Sequence, residues 1–439
     1  MTKHSLSAAA TVEHRRGEPL AELARWRAGR GAGDRLLLVD FVLPQYWLPR
    51  AEPVQLTALY CMSDGRLQVA VTDQPLVADG AAAPRDQYAR WVLRHGMASW
   101  EAGTSMALSA EVVAKPWGRE IWYSGVEQRG VCCFARGRGQ TPIPWLQAVV
   151  PEARLGCAGV PLVLLKILDP LPQPVLGDLY FELHEQKREV YVVTHVDPAA
   201  WPDGQGYLRL GFDPRRIAEY PAEQAFRQAY LEAVRAYETV RRELDAMAGQ
   251  GRAPEAGQVR REQVLRDAMN RFTYLYPVRV GDVVAIPLQV PHALQHGVRT
   301  VEFQTPVYER KILSFAQRVL TQDHWDTQQA VQSMRLQAPP QATLPVLRRD
   351  QGLRLEQVVD FPDFEVRRLT LAAGASLAVQ PAGRYSLVLV VDGTLDLEGA
   401  HYGSGQALFL PADWRGQFAS AKAAPPLVLL WALPRSPDS

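Results

Sequence analysis

The sequence has few cysteines, no long apolar run and almost no net charge. Its four cysteines, in 439 residues, are too few for a disulfide framework, and their positions lack the spacing of a cysteine metal site. No apolar run approaches the length of a membrane span, and the first residues lack the apolar core of a signal peptide. We therefore expect reduced cysteines, a cytoplasmic location and no membrane partner.

The balance of charge also excludes a class of partner. The chain carries 48 lysines and arginines against 47 aspartates and glutamates, a formal net charge of +1. A nearly neutral chain exerts no broad attraction on nucleic acid, so we expect none as a partner. Its length predicts two or three domains with substantial cores.

Most of the chain has the alternating pattern of β-strands. Within residues 1–110, strand-like segments are joined by Pro, Asp and Gly turns, and they could form the outer wall of a barrel or a small separate sheet. Residues 86–96 are typical of a short helix. Between residues 220 and 274 the apolar period changes to three or four, which predicts two amphipathic helices. They interrupt a β protein and could roof its functional site.

Candidate metal ligands occur in the segment GDLYFELHEQKREVYVV, residues 177–193. It is typical of two short strands meeting at a polar turn, so Glu182 and His184 share a face, and Lys187 and Glu189 converge with them after the turn. A fourth ligand is available from His292, which follows a strand and a proline. Two carboxylates and two neutral imidazoles suit Zn²⁺, Mn²⁺ or Fe²⁺.

The spacing of these residues resembles the two metal-binding motifs of cupin barrels. The first motif is Glu-x-His, four residues, then Glu; the second is Gly, five residues, Pro, four residues, then His. Glu182 stands where the first histidine of cupins is usual, and Gln289 stands where a glycine is usual.

Several longer matches resemble the type I phosphomannose isomerase family. They are KPWG at 115–118, LLKILD at 164–169, KRE at 187–189, GDVVAIPLQVPHALQHGVRTVEFQ at 281–304 and the C-terminal FLPA strand. This resemblance implies a mainly β fold of tandem cupin-like, jelly-roll β-barrels with an inserted α-helical segment. It also implies a bound metal, Zn²⁺ above all, with Lys187 as an active-site lysine and Glu189 and His292 as ligands. Arg310 lies near the position of the family's catalytic arginine.

The resemblance gives a domain division as well. Residues 111–219 and 275–339 are expected to form the metal-binding cupin domain, with 220–274 as the helical insertion. Residues 340–439 are expected to form a second cupin-like domain without a metal, because its FLPADW strand lacks the histidine. Residues 1–110 form a β-rich segment in front of them.

The departures from the family fall on the substrate side. Tyr180 stands where the family has a serine, Glu182 replaces a glutamine, and the loop that carries phosphate contacts is nearly absent. Two carboxylates offset the charge of a divalent ion and weaken the attraction of the site for a dianion. We therefore expect weak or absent mannose 6-phosphate isomerisation, although a phosphate could still be held by Lys166, Lys187, Arg299 or Arg310.

The sequence leaves three functions open. The leading hypothesis is a metal-dependent aldose–ketose isomerase that acts on a sugar or sugar phosphate, with Lys187 and Arg310 as catalytic residues and Glu185 or His296 as candidates for the general base. The second is a sugar-binding or regulatory cupin that keeps the fold and has lost turnover. The third is an Fe²⁺ oxygenase, which mixed His and Glu ligands would also suit.

Overall fold

The computed structural model describes residues 11–29, 33–78, 82–157, 161–320, 322–341 and 343–435, and the fold of this part of the chain is mainly β. No helix in these ranges combines the length and the apolar character needed to cross a membrane. The helices are α1 Pro19–Ala28, α2 Pro84–Arg94, α3 Ile143–Gln147, α4 Glu152–Leu155, α5 Pro214–Ala218, α6 Glu223–Gly249, α7 Ala256–Asn270 and α8 Thr327–Ser333.

The strands are short, and most lie in antiparallel pairs. The first of them are β1 Thr11–Arg16, β2 Arg35–Leu43, β3 Val54–Ser63, β4 Arg66–Thr72, β5 Trp100–Glu101, β6 Met106–Ser109, β7 Glu111–Lys115, β8 Gly118–Trp122, β9 Val126–Glu127, β10 Gly130–Val131, β11 Cys133–Arg136, β12 Gly139–Pro142, β13 Leu164–Pro170, β14 Phe181–Leu183, β15 Glu189–Val196 and β16 Gly206–Phe212. The others are β17 Thr273–Val278, β18 Val283–Ile286, β19 His292–Leu294, β20 Val298–Gln304, β21 Lys311–Ser314, β22 Val346–Asp350, β23 Leu353–Asp360, β24 Phe364–Leu371, β25 Ser376–Val379, β26 Ser386–Asp392, β27 Thr394–Leu397, β28 Ala400–Gly403, β29 Ala407–Leu410, β30 Gly416–Ser420 and β31 Leu427–Pro434.

The chain divides into two compact units. The first comprises residues 1–111, 122–164 and 344–439, and the second comprises residues 112–121 and 165–343. Both units are discontinuous in sequence, so a domain boundary cannot be drawn by cutting the chain once.

The N-terminal part of the first unit is a sheet of its own, with strand order β1-β2-β3-β4-β5. Of the two interpretations that the sequence left open, the separate sheet is therefore correct. Strand β1 runs parallel to β2, and the sequence analysis missed helix α1, which joins them. The Glu18 carboxylate caps α1 by accepting from the backbone of Leu20 and Ala21. Helix α2 corresponds to the predicted short helix, and its Trp91 packs into the core of this sheet.

The rest of the first unit includes two further sheets, built from strands of residues 344–439 together with β6, β11 and β12. A nine-stranded sheet has the order β12-β11-β6-β29-β26-β31-β24-β23-β22, and a four-stranded sheet has the order β25-β30-β27-β28. Alternate residues of β31, such as Leu429 and Trp431, share one core cluster with Leu395 and Phe418 of the smaller sheet. Leu430 and Ala432, on the other face of the strand, are buried as well, so both faces of β31 are covered. None of the sheets formed by the described residues closes into a ring of strands.

The second unit also contains two sheets, and both contribute to the candidate site. The six-stranded sheet has the order β18-β15-β20-β13-β8-β7, and the five-stranded sheet has the order β17-β16-β19-β14-β21. Tyr191 and Val193 from the first sheet share an apolar core with Leu208 and Leu294 from the second. Strands β14 and β15 meet at a polar turn, as predicted, but they belong to different sheets. The turn therefore carries the chain from one sheet to the other.

The long helices enter the second unit between two paired strands. Strands β16 and β17 are antiparallel neighbours, and α5, α6 and α7 form the connection between them. The apolar stripe of α6, including Phe226 and Tyr230, packs against Phe181 and Leu183 of β14. Because side chains alternate along a strand, Glu182 lies on the opposite face. The helices therefore pack against the face of β14 opposite to Glu182, and the expectation that they roof the site is wrong.

Candidate metal centre

Three buried side chains converge where the two sheets of the second unit meet. His184 directly follows β14, Glu189 begins β15 and His292 begins β19. One ligand atom from each lies within 4.8 Å of the other two, and this is the one such His, Cys, Asp or Glu group found among the described residues. Glu189 Oε1 lies 3.3 Å from His184 Nε2, and Glu189 Oε2 lies 3.1 Å from His292 Nε2. These separations are close to the roughly 3.3 Å edge of a tetrahedral zinc site.

Hydrogen bonds to the backbone turn both imidazoles the same way. His184 Nδ1 lies 2.9 Å from the Glu309 carbonyl oxygen, and His292 Nδ1 lies 3.2 Å from the Val290 carbonyl oxygen. A carbonyl oxygen only accepts, so each Nδ1 carries a proton and each ring turns its Nε2 toward Glu189. His292 Nε2 lies within hydrogen-bond distance of Glu189 Oε2, whereas His184 Nε2 has no hydrogen-bond partner among the described residues. A cation between them would satisfy all three groups.

The charge states of the cluster agree with a metal site. Burial lowers the pKa of His184 and so favours its neutral form, although Glu189 acts in the opposite sense. Burial would raise the pKa of Glu189, but His184 and Lys187 outweigh it and hold that pKa well below its usual range. A neutral imidazole and an ionised carboxylate are the forms that bind a divalent metal. The three side chains therefore fit a divalent metal ion.

Glu182 lies beside the cluster and has a second partner. It is paired with His292 across the β14–β19 ladder, and its carboxylate lies 4.0 Å from His184 Nε2. The guanidinium of Arg310 approaches the same carboxylate to 3.4 Å and lies over the Tyr180 ring, 4.9 Å from its centre. Burial would raise the pKa of Glu182, but Arg310 and the neighbouring cationic groups outweigh burial and lower it. The structure thus brings the four predicted ligands and Arg310 together.

Lys187 lies within the same group. Its ammonium is 2.7 Å from Glu189 Oε1, and its side chain is 9% exposed. The ammonium next to Glu189 places a positive charge at the edge of the cluster.

A second layer of charge lies behind the cluster, and the sequence analysis found only part of it. Lys166, which the sequence left as either an ion-pair partner or a substrate contact, lies 3.1 Å from Glu302 and 3.6 Å from Glu120. Lys115 also pairs with Glu120, at 3.1 Å. Burial raises the pKa of Glu302 to about 8, with a further contribution from the charge of Glu189, despite the nearby Lys166. Glu302 lies in the matched segment 281–304, and nothing in the sequence indicated its pairing with Lys166.

The fold can be compared with solved structures. The chain matches mannose 6-phosphate isomerase from Bacillus subtilis with 14% identity and a TM-score of 0.51, over 75% of this chain and 99% of that one. The apo enzyme from Salmonella typhimurium matches with 13% identity and a TM-score of 0.52, over 76% and 99%. A zinc-bound mannose 6-phosphate isomerase matches with 12% identity and a TM-score of 0.54, over 76% and 100%.

The chain shares the fold of mannose 6-phosphate isomerases. The resemblance inferred from the motifs is confirmed at this level. No protein-family model matches the chain, and no curated protein matches its sequence. Within this isomerase-like fold, identities of 12% to 14% show the architecture and leave the activity to be argued from the site.

The two candidates for a general base are engaged in other pairs. Glu185 accepts a 2.6 Å bond from Lys311 and a 3.3 Å bond from Ser333. His296 Nδ1 lies 2.7 Å from Asp178 Oδ1, and its ring stacks on Trp201 at 4.6 Å. These contacts give both residues a structural role in the isomerase-like fold.

The Asp178–His296 pair ties the chain before β14 to the chain after β19, so Asp178→Asn is expected to destabilise the protein. Asp178 Oδ1 accepts from both the backbone and the ring of His296, and these bonds outweigh burial and lower the Asp178 pKa. We expect a loss of about 1.5 to 3 kcal/mol in the free energy of unfolding at pH 7, measured by urea titration.

The pH dependence of that loss has a definite sign. A carboxyl whose pKa is lowered by folding stabilises the folded state above its ordinary pKa of 3.8 and loses this effect as pH falls through the lowered value. The difference between Asp178→Asn and the unaltered protein should therefore stay constant from pH 7 to about pH 5 and shrink below the usual Asp pKa of about 4. Asp73→Asn, at an exposed position, serves as the control. Equal stability of the Asp178→Asn and unaltered proteins at pH 7 would show that the pair contributes nothing.

Proposed function

We propose that this protein is a metal-dependent aldose–ketose isomerase that acts on a sugar. The observation that carries the proposal is the buried His184–Glu189–His292 cluster, with Lys187 against Glu189, inside a fold shared with mannose 6-phosphate isomerases. His184, Glu189 and His292 would hold the metal, with Glu182 as the fourth ligand. Zn²⁺ is the metal we propose first, since a solved structure of similar fold is zinc-bound; Mn²⁺ and Fe²⁺ suit the same donors.

The residues of the chain suggest a division of work. A divalent metal would act as a Lewis acid on the carbonyl and hydroxyl oxygens of the sugar, which eases proton transfer between C1 and C2. Lys187 would donate to the oxygen that becomes negative as the proton leaves. Arg310, held over Tyr180 and paired with Glu182, would orient a second sugar oxygen. Both cations are anchored by carboxylates, so little reorganisation would be needed when the sugar binds.

We propose an architecture for this activity that follows the resemblance. Of the residues expected in the metal-binding domain, 111–219 and 275–339, residue 111 and residues 122–164 belong to the first unit. The remaining residues would form a cupin-like, jelly-roll fold that holds the metal, and 340–439 would contribute to a second one without metal. The helical insertion at 220–274 lies between the paired strands β16 and β17, as an insertion into a barrel would. Within residues 1–110, strands β1 to β5 add a separate sheet whose role in the activity we leave unassigned.

The cytoplasm is the location we propose for this activity. All four cysteines are free thiols, and burial raises the pKa of Cys61 to about 11 and that of Cys132 to about 12. Protonated, buried thiols resist oxidation and suit a reducing compartment.

We further propose that the substrate is a sugar without a phosphate. The four basic groups that the sequence offered for phosphate binding are paired with carboxylates: Lys166 with Glu302, Lys187 with Glu189, Arg299 with Asp169 at 3.8 Å, and Arg310 with Glu182. A phosphate dianion would have to compete with each of these carboxylates. A neutral sugar would need only hydrogen bonds to the metal position and to the ends of Lys187 and Arg310.

Glu182→Gln tests the substrate class. The unaltered, zinc-loaded protein should isomerise mannose and should convert mannose 6-phosphate weakly or not at all. Removing the carboxylate leaves Arg310 with one less anionic partner, so we expect mannose 6-phosphate binding to strengthen by about 1 kcal/mol, roughly fivefold. Initial rates with both sugars give kcat and KM for each protein. Rapid turnover of mannose 6-phosphate by the unaltered protein, with a micromolar KM, would overturn the proposed substrate class and favour the phosphorylated sugar.

A second function has support in one observation. Glu182 and Arg310 form a salt bridge within the site, which would suit a protein that binds a sugar at the metal without turnover. In that case isothermal titration would detect mannose binding, and the same protein would give no fructose.

A further inference from the structure

Glu309 has an unusual set of contacts with the turn that joins the two sheets. Its carboxylate accepts from the backbone amides of Glu185 at 3.0 and 3.1 Å, Gln186 at 3.1 Å and Lys187 at 3.4 Å. Three successive amides that point at one place form a small anion-binding concavity. Here the anion is supplied by the chain itself.

The backbone of Glu309 contacts the same turn at a second point. Its carbonyl oxygen is the one that lies 2.9 Å from His184 Nδ1. This contact fixes the proton on Nδ1 and leaves Nε2 as the nitrogen that faces Glu189. One residue therefore holds both the ring of His184 and the backbone that follows it.

The turn needs such support because no strand supplies it. Residues 184–188 lie between β14 and β15, and these strands pair in different sheets. The turn also sets the distance from His184 to Lys187 and Glu189. Backbone amides without partners would leave the turn free to adopt other conformations, each with a different spacing of these three side chains.

We propose that Glu309 is a positioning residue for the metal centre. Its carboxylate fixes the 185–187 turn, and its carbonyl fixes the His184 tautomer, so the donors are arranged before a metal binds. Glu309 contacts no metal itself. The proposal depends on the metal site of the proposed function, and its effect is on how well that site is formed.

The test compares Glu309→Ala and Glu309→Gln with the unaltered protein. Zinc affinity is measured at pH 7.5 by competition with a chromophoric chelator, and the folded state of each metal-free protein is checked by circular dichroism. Loss of an outer partner of a metal ligand weakens binding by about 10- to 100-fold, which is the result we expect for Glu309→Ala. Glu309→Gln keeps one acceptor oxygen and should lose about 10-fold in zinc affinity, at the lower end of that range. Glu232→Gln, an exposed glutamate on α6, should bind zinc as the unaltered protein does.

Two further readouts separate positioning from a general loss of stability. Formate at millimolar concentration should restore part of the zinc affinity of Glu309→Ala, because a small carboxylate can occupy the three amides. The ¹⁵N spectrum of metal-free protein should show His184 as one tautomer, protonated at Nδ1, in the unaltered protein and in Glu309→Ala alike, because the backbone carbonyl of residue 309 is retained. If Glu309→Ala proves unfolded, Glu309→Gln supplies the same comparison.

The outcomes distinguish this proposal from the one on which it depends. Zinc affinity unchanged in a folded Glu309→Ala or Glu309→Gln protein would overturn the positioning role and leave the metal site intact. Absence of zinc binding by the unaltered protein would overturn the metal site itself and, with it, the role of Glu309.

Discussion

A protein with His292 replaced by alanine is expected to lose its metal on dialysis. His292 is 2% exposed, and its Nε2 is turned toward Glu189 by the bond from Nδ1 to the Val290 carbonyl. Water would have to replace it at a buried position beside a charged carboxylate. Loss of a residue that only hydrogen-bonds to a metal ligand weakens metal binding by about 10- to 100-fold. Removal of a direct ligand should therefore weaken zinc binding more than about 100-fold.

The chain offers a matched control for this measurement. His195 lies on β15, the strand that Glu189 begins, and its side chain is exposed. His195→Ala should keep one zinc per chain after the same dialysis, as measured by elemental analysis. Full zinc occupancy of the His292→Ala protein would contradict a site assembled from the two motifs.

Replacement of Lys166 by methionine is expected to be strongly destabilising. Lys166 is 12% exposed and neutralises Glu302 and Glu120, which are 2% and 10% exposed. Methionine fills the same space but leaves Glu302 without its ion-pair partner and leaves Glu120 with Lys115 alone. Removal of one partner from a buried charged group costs about 3 to 5 kcal/mol, which we expect at pH 8 to 9 by urea titration.

The loss in the free energy of unfolding of Lys166→Met should be smaller at pH 6, because Glu302 can take up a proton. A carboxyl whose pKa is raised by folding reduces stability as pH rises from its unfolded value of 4.5 to its folded value of about 8. Without Lys166 the folded pKa rises further, so the unaltered and variant proteins diverge mainly above pH 8. The double variant Lys166→Met/Glu302→Gln should recover part of the stability. A Lys166→Met protein within about 1 kcal/mol of the unaltered one at pH 9 would show that the network has no net stabilising effect.

Local patterns in the sequence predicted the site residues because the spacing of ligands is a local property. Glu182 and His184 stand two apart on a strand, and Glu189 follows one turn later, so their convergence needs no knowledge of the rest of the fold. His292 was found from the same kind of pattern. The placement of these side chains together agrees with that prediction, and their binding of a metal stays a prediction.

The parts that the sequence could not predict depend on contacts between distant residues. Periodicity shows which stripe of α6 is buried, and it cannot show which face of β14 the stripe covers. In the same way, Glu309 lies 125 residues from His184 in the sequence, and no pattern around Glu309 indicates that it contacts His184. The ion pair between Glu302 and Lys166 was missed because nothing in the sequence shows that these two residues, on β20 and β13, are in contact.

Deuterium incorporation from D₂O tests directly whether this protein is a metal-dependent sugar isomerase. The zinc-loaded protein and the same protein after treatment with a chelator are incubated with mannose in D₂O and followed by NMR. We expect fructose with deuterium at C1 from the zinc-loaded protein and no fructose from the chelator-treated protein. Adding zinc back should restore the reaction. One zinc per chain with no fructose and no deuterium in either sugar, for mannose and mannose 6-phosphate alike, would contradict the isomerase and leave a sugar-binding protein in its place.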